Sequence, residues 1–312
     1  MPRSIIIDTD PSPDDAVAVL VALASPLELD VLAVTTVAGN VPIELTSKNA
    51  RKALELAGRT DVKVYRGAAG PLVRELVTAE VVHGNTGFNG YDLPEPVMPL
   101  ASGFAPDAII DLVMSRPEAT VTMCCLAPLT NLALAMLKEP RLAGHLKEIV
   151  LMGGAFSEGG NITPAAEFNI FVDPEAASRI FNSGTPITMI PLDCTHQART
   201  TALRMEKLRA MNTRVTEVFY QLLRFNKRFD ETKYGWDGGP LHDATVIAYL
   251  LRPGLFSGRF VRVDIECASA LTKGMTVVDW WGVTGKAANA TVLRQIDAEG
   301  YFDLVIERLA RL

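Results

Sequence analysis

The chain predicts an α/β fold: a single domain, residues 1–312, built around a mostly parallel, Rossmann-like sheet with helices on both faces and its site at the carboxyl edge of the strands. Three observations predict it. Short strand-like runs alternate with helix-length runs through most of the sequence, the rhythm of repeated strand-helix-strand units. At 312 residues and 48% apolar content, the chain can bury one large core. Several strand-like runs end in acidic or amide residues, as the ligand-binding edge of an open parallel sheet requires.

The first strand reads Ile5 to Asp8 and the first helix Ala16 to Ala24, followed by a strand from Leu29 to Val37 and a helix from Ile43 to Leu56. Val62 to Tyr65 reads as a strand, Asp107 to Met114 as a helix, Ala119 to Leu126 as a strand and Thr130 to Leu137 as a helix. Glu148 to Met152 closes this stretch as a strand, before a polar, glycine-rich segment that runs to Glu167. The rhythm resumes with Phe168 to Val172, Pro174 to Phe181 and Ile187 to Pro191, after which helices from Ala202 to Met211 and Val215 to Phe229 follow without an intervening strand. A helix from about His242 to Leu251 leads to strands at Phe260 to Cys267, Met275 to Trp281 and Ala290 to Ile296, and to a closing helix from Tyr301. No repeat, low-complexity tract or linker divides the chain.

Between the first strand and the first helix lies Asp8-Thr9-Asp10-Pro11-Ser12-Pro13-Asp14-Asp15, with four carboxylates in eight positions. Like charges crowded this closely repel, and a fold keeps them only where a cation, hydrogen-bond donors or a polar substrate offsets the repulsion. A hard divalent metal fits. Ser12 suits a helix N-cap with Pro13 as first residue and Asp15 as third, an order resembling a capping box. Complementing the helix dipole accounts for one or two of the acids, not for all four.

A net charge of −6 without a basic stripe argues against nucleic acid as a partner. The apolar stretch Ala16 to Ala24 is too short to span a bilayer and follows acids rather than a basic segment, so neither a signal peptide nor a membrane anchor is expected. Cys124, Cys125, Cys194 and Cys267 show neither a disulfide framework nor a zinc spacing, and a reducing cytoplasm is the expected compartment.

Further polar residues fall where strands end. Asn40 closes Thr35 to Asn40, and Asn131 closes Leu126 to Asn131, where Pro128 leaves backbone carbonyls free to point outward. Asn161, Glu167 and Asn169 together offer amides and a carboxylate suited to sugar hydroxyls. His242-Asp243 follows Gly238-Gly239-Pro240 and adds a carboxylate beside an imidazole. Singly, each has a structural reading: Asn40 and Asn131 as turn or cap residues, Asp243 as a dipole partner, and His83 or His242 as structural histidines. Gly153-Gly154 follows a strand, but no G-x-G-x-x-G is present.

Taken together these segments resemble the inosine-uridine preferring nucleoside hydrolase family, whose hallmark Asp-x-Asp-Pro-Gly-x-Asp-Asp-Ala turn matches Asp8 to Ala16 with Ser12 in place of glycine. The resemblance continues in collinear order through Thr35 to Asn40, His83-Gly84, Leu126 to Asn131, Leu151 to Gly154, Ala166 to Asn169, Asp173 to Ala177, Leu192 to His196, His242-Asp243 and Gly274 to Thr276. It implies calcium-dependent hydrolysis of the N-glycosidic bond of ribonucleosides, giving ribose and free base. By resemblance, Asp10, Asp15, Asp243 and the Leu126 carbonyl hold the calcium. Asp14, Asn40, Asn161, Glu167 and Asn169 hold the ribose hydroxyls, and Met152 lies beside the sugar. All-oxygen ligation suits calcium rather than zinc. In that scheme Asp10 takes the proton of a metal-bound water, and His242 or His83 donates to the departing base. Tyr234 and Trp236 offer rings that either stack on a base or serve as core aromatics, and Lys233 to Trp236 leans toward pyrimidine nucleosides. A homodimer or homotetramer is the family expectation.

Ser12 leaves two possibilities. If the turn needs a positive φ, Ser costs roughly 1 kcal/mol and shifts its neighbours. If the position is a plain N-cap, Ser fits. Ala127 likewise stands where the family commonly has glycine. Two other readings follow from the same turn: a haloacid-dehalogenase-like phosphatase with Asp8 as nucleophile, and a catalytically impaired nucleoside- or calcium-binding protein.

Overall fold

In the computed structural model, which describes residues 1–312, nine strands form one sheet. They are β1 (Arg3–Thr9), β2 (Leu29–Thr36), β3 (Val64–Arg66), β4 (Val121–Cys125), β5 (Glu148–Met152), β6 (Ile187–Ile190), β7 (Phe256–Ile265), β8 (Thr276–Asp279) and β9 (Ala290–Ile296). Their order is β3-β2-β1-β4-β5-β6-β9-β7-β8. The pairs from β3 through β9 are parallel, and β7 then pairs antiparallel with both β9 and β8.

Helices cover both faces, so strands such as Ile5-Ile6-Ile7 are fully buried on either side and read as continuous apolar runs. Ile5 and Ile7 join one core cluster with the helix Pro13–Leu23, while Ile6 joins the other with Leu129 and Leu132. No helix is long and apolar enough to cross a membrane.

The chain reverses its direction of travel across the sheet at β1: β2 and β3 lie on one side and β4 to β6 on the other. Ligands of open α/β sheets bind at such a switch point, beyond the carboxyl ends of the strands. The register there is set by the Leu126 N–H donating to the Asp8 carbonyl at 2.8 Å and the Val37 N–H to the Thr9 carbonyl at 3.1 Å. The loops after β1, β2 and β4 therefore leave the sheet side by side. Asn131 ties them together, its amide donating to Asp8 Oδ1 at 2.8 Å and to the Thr36 carbonyl at 3.0 Å, while its oxygen accepts from the Ala68 N–H at 2.9 Å.

Most expected elements are present, and the differences have local causes. Phe168–Val172, a strand by rhythm, is a short helix: Glu167 at its N-cap accepts from the N–H groups of Asn169 and Ile170, and a five-residue apolar run does not distinguish the two states. The helix expected to end at Phe229 continues to Tyr234 and stops at Gly235, whose φ of 68° gives the left-handed cap that favours glycine. Short helices at Glu80–His83, Leu142–His145 and Leu192–Thr195 carry too few residues to show a period. The last helix begins at Ala298 rather than Tyr301, capped by Asp297.

Candidate functional site

Beyond the switch point a cavity of about 380 Å³ opens onto Asp14, Asn40, His83, Leu126, Met152, Asn161, Glu167, Asn169, Tyr234, His242 and Asp243. Asp10 and Asp15 are fully buried and do not line it; Asn40 and Asp14 stand between them and the open space. The structure thus gathers these candidates in and directly beneath one cavity, while Asn131 stays under the turn with Asp8 and Trp236 lies outside the lining.

The acidic turn is held by its own donors. Ser12 has an extended backbone, φ −102°, so the position demands no glycine and the anticipated strain does not arise. The Ser12 N–H donates to Asp15 Oδ2 at 3.0 Å, and its hydroxyl lies 2.7 Å from Asp14 Oδ1 and 3.0 Å from Asp15 Oδ2. Thr9 Oγ1 donates to Asp15 Oδ1 at 2.6 Å. Asp10 Oδ2 accepts the Asn40 N–H at 2.6 Å, and the Asn40 amide donates to the Asp10 carbonyl at 3.2 Å and to Asp15 Oδ2 at 3.4 Å. Asp10 Oδ1 is buried with no partner.

Asp14, Asp15 and Asp243 each offer an oxygen within 4.8 Å of the others, all three buried. The tightest carboxylate group therefore contains Asp14 in place of Asp10. Burial, followed by the charge of Asp15, pushes the Asp10 carboxyl well above the usual range. Burial and then the charges of Asp14, Asp15 and Asp10 do the same to Asp243. Asp15 is pushed up to about 6 by burial and by Asp14. Burial also works against ionised Asp14, yet the charges of His242 and His83 and the bonds from Ser12 and Asp243 outweigh it, and its carboxyl lies below the usual range. Such a set stays ionised together only around a cation, and an all-oxygen donor set with an orphaned buried carboxylate oxygen fits a hard one.

Asp8 is excluded from this cavity. Its Oδ1 accepts from Thr35 Oγ1 at 2.6 Å and from Asn131, and the residue is fully buried under the turn, where a phosphatase nucleophile would have no access to substrate.

Around the rest of the cavity the amides are oriented by the backbone. Asn169 donates to the carbonyls of Leu126 at 2.9 Å and Met152 at 3.2 Å, which turns its own oxygen free. Asn161 Oδ1 accepts the Phe168 N–H at 2.9 Å, leaving its NH₂ free. His242 and His83 share the cavity with Asp14; burial lowers both imidazoles, His242 to about 4, while Asp14 opposes the shift. Tyr234 stacks on Trp236 with centroids 4.4 Å apart, and His196 meets the Trp236 ring edge-on at 4.9 Å.

This constellation has counterparts in known proteins. The profile of the inosine-uridine preferring nucleoside hydrolases matches residues 5–303. The chain belongs to that family. An uncharacterized protein of Schizosaccharomyces pombe is 52% identical over 99% of both chains, and the pyrimidine-specific ribonucleoside hydrolase RihA of Shewanella woodyi is 46% identical over 99% of this chain and 98% of its own. The solved structure of a plant nucleoside hydrolase, PpNRh1, superposes with a TM-score of 0.90 at 35% identity, covering 99% of both chains.

The chain is accordingly a hydrolase acting on the N-glycosyl bonds of ribonucleosides, and neither the phosphatase nor the impaired-binder reading is favoured. In this nucleoside hydrolase Glu167 is a buried acid that lines the same cavity. Its Oε2 accepts the N–H groups of Gly154 at 2.9 Å and Ile170 at 3.2 Å, and its Oε1 that of Asn169 at 2.9 Å. Burial still wins and pushes it from an ordinary 4.5 to about 7. Because the folded value lies above the unfolded one, the stability this group contributes is complete below the ordinary value and is lost as pH rises through about 7. In calcium-free buffer the wild type should therefore lose on the order of 1 to 3 kcal/mol relative to Glu167→Gln between about pH 5 and pH 8. Parallel denaturation midpoints across that range would remove Glu167 as the source.

Sequence reading missed several cavity residues. Asn226, Lys227 and Phe229 come from the helix Arg214–Tyr234, and Thr195 lies behind His242. The only sequence signal was indirect: residues three to four apart on the expected helix Val215 to Phe229 share a face.

Proposed function

We propose that the enzyme hydrolyses pyrimidine ribonucleosides to ribose and base in a calcium-dependent reaction, with Asp10 as general base and His242, alongside His83, as donor to the leaving base. One observation carries this reading: buried Asp10, Asp14, Asp15 and Asp243 converge at the switch point beneath a cavity that also holds three histidines and four asparagine amides. The ion would be held by Asp10, Asp15, Asp243 and the Leu126 carbonyl, with Asp14 within reach of the same group. When bound, it supplies positive charge that acidifies a neighbouring water.

The water oxygen bonds to C1′ as the C1′–N bond breaks, and the electron pair of that bond leaves with the base. One water proton goes to Asp10 Oδ1, the atom without a partner, while Asn40 fixes Oδ2. The departing base accepts a hydrogen bond from an imidazole N–H, and the proton it finally takes up is the one the water gave to Asp10, which returns the acid to its starting state. Positive charge accumulating on the ribose is favoured by the surrounding carboxylates, Asp14 and Glu167 among them, which bind the transition state better than the neutral substrate. The free oxygens of Asn40 and Asn169, the Asn161 amide and Met152 hold the sugar. Tyr234 faces the base, and the similarity to proteins named pyrimidine-specific supports that substrate class. The four cysteines are free, which supports a reducing cytoplasm, and the family resemblance supports a homodimer or homotetramer.

The test is release of reducing sugar from uridine, cytidine, inosine and adenosine, with calcium and after exhaustive chelation, with p-nitrophenyl phosphate alongside. The expected result is calcium-restored ribose release, faster from the two pyrimidine nucleosides, and no phosphate. Equal rates with and without the ion would overturn the metal assignment, and faster purine cleavage the base preference.

A further inference from the structure

Of the three histidines that line the cavity, His83 and His242 each have one ring nitrogen engaged from behind. Thr195 Oγ1 lies 2.8 Å from His242 Nδ1, and Asn226 Nδ2 lies 3.1 Å from His83 Nδ1. Thr195 is fully buried at the end of the short helix Leu192–Thr195 that follows β6, and its hydroxyl makes no other hydrogen bond. The Asn226 amide likewise has a single side-chain partner, since its Oδ1 is buried and unpaired. The two groups come from different elements and arrive at the same atom type on the two rings.

A neutral imidazole carries its proton on one nitrogen only, and a group that donates to Nδ1 leaves that proton on Nε2. An amide NH₂ can only donate, and a threonine hydroxyl with no other acceptor is free to do so. Asp14 shares the cavity with both rings, and its carboxylate favours an N–H edge over a bare lone pair facing it.

We infer that Thr195 and Asn226 are positioning residues that hold His242 and His83 in the Nε2–H tautomer, so that both rings present a proton to the departing base. This rests on the leaving-group role proposed above for the two histidines. The opposite tautomer would turn a lone pair toward the base and could not donate to the negative charge that develops there. The arrangement resembles in logic any ring whose second nitrogen is fixed by a neighbour, which selects the working tautomer.

The experiment compares Thr195→Val, Thr195→Ser and Asn226→Leu with the wild type at saturating calcium, on uridine and on p-nitrophenyl β-D-ribofuranoside, whose leaving group departs as a stable anion and needs no proton. Thr195→Val and Asn226→Leu should each lower kcat/KM on uridine by about tenfold or more, a part of what a general acid contributes, and leave the nitrophenyl riboside within about twofold. Thr195→Ser should restore the uridine rate. In parallel, ¹⁵N spectra of the four histidine rings should show the Nε2–H pattern for His83 and His242 in the wild type, lost for His242 alone in Thr195→Val and for His83 alone in Asn226→Leu. Equal losses on the two substrates, or no loss on either, would overturn the proposal, as would an Nδ1–H pattern in the wild type. A wild type that cleaves the nitrophenyl riboside but no nucleoside would instead overturn the leaving-group role itself, while the spectra still report which nitrogen Thr195 and Asn226 engage.

Discussion

Asp10→Asn should lower kcat by about 10² to 10⁴, the range a positioned general base contributes, while the protein stays folded. The two halves of that expectation come from the same geometry. Asp10 is fully buried with its carboxyl pushed well above the usual range by burial and by Asp15, so the ionised form is costly in the absence of a cation. An amide of the same shape removes that cost and keeps an oxygen for the Asn40 N–H, now 2.6 Å from Oδ2. In calcium-free buffer the variant should therefore unfold at or above the wild-type temperature. Activity must be read at saturating calcium, so that weakened ion binding is separated from loss of the base. Wild-type kcat under those conditions would end the assignment of Asp10 as base, whereas a collapse of the unfolding transition would show that the carboxylate serves the fold first.

What the sequence disclosed follows from which contacts are local. The acidic turn was legible because its four carboxylates lie within eight positions and its cap is formed by adjacent residues. Strands such as Glu148–Met152 and Ala290–Ile296 were legible to the residue because apolar runs there end at charged or turn residues. Where the contact is distant the sequence was silent. Thr195 meets His242 across 47 positions and Asn226 meets His83 across 143, and neither residue type in isolation signals a partner. Asp8 and Asp10 look alike in the turn, and strand alternation alone would place both on one face; β1 ends at Thr9, so Asp8 stays in the sheet with Thr35 and Asn131 while Asp10 follows the turn toward Asn40. The grouping of Asp14 with Asp15 and Asp243 likewise depends on the direction of the first helical turn, which spacing alone does not fix.

Gly39→Ala should cost about as much activity as a direct lesion in the site, although Gly39 carries no chemistry. Its backbone lies outside the left-handed region, so alanine is conformationally permitted there. The obstacle is space: a Cβ at this position would stand 2.0 Å from Asp10 Oδ2, 2.9 Å from Asp10 Cγ and 3.1 Å from Pro128 Cδ. The two contacts to Asp10 are ones real Cβ atoms do not make, and the acid must move. A shift of about 1 Å at a reacting group costs on the order of 10²-fold in rate, and the same shift breaks the Asn40 bond that fixes Oδ2. The overpacking should destabilise the fold by about 1 to 3 kcal/mol, too little to unfold a chain of this size. Gly70→Ala provides the control, because a Cβ there meets nothing within 4 Å and its φ is ordinary. Ribose release from uridine should fall about a hundredfold in Gly39→Ala and stay at the wild-type rate in Gly70→Ala. Full activity in Gly39→Ala would mean that the Asp10 carboxylate tolerates displacement, and the close approach of the β2 loop to the acidic turn would then lose its meaning for catalysis.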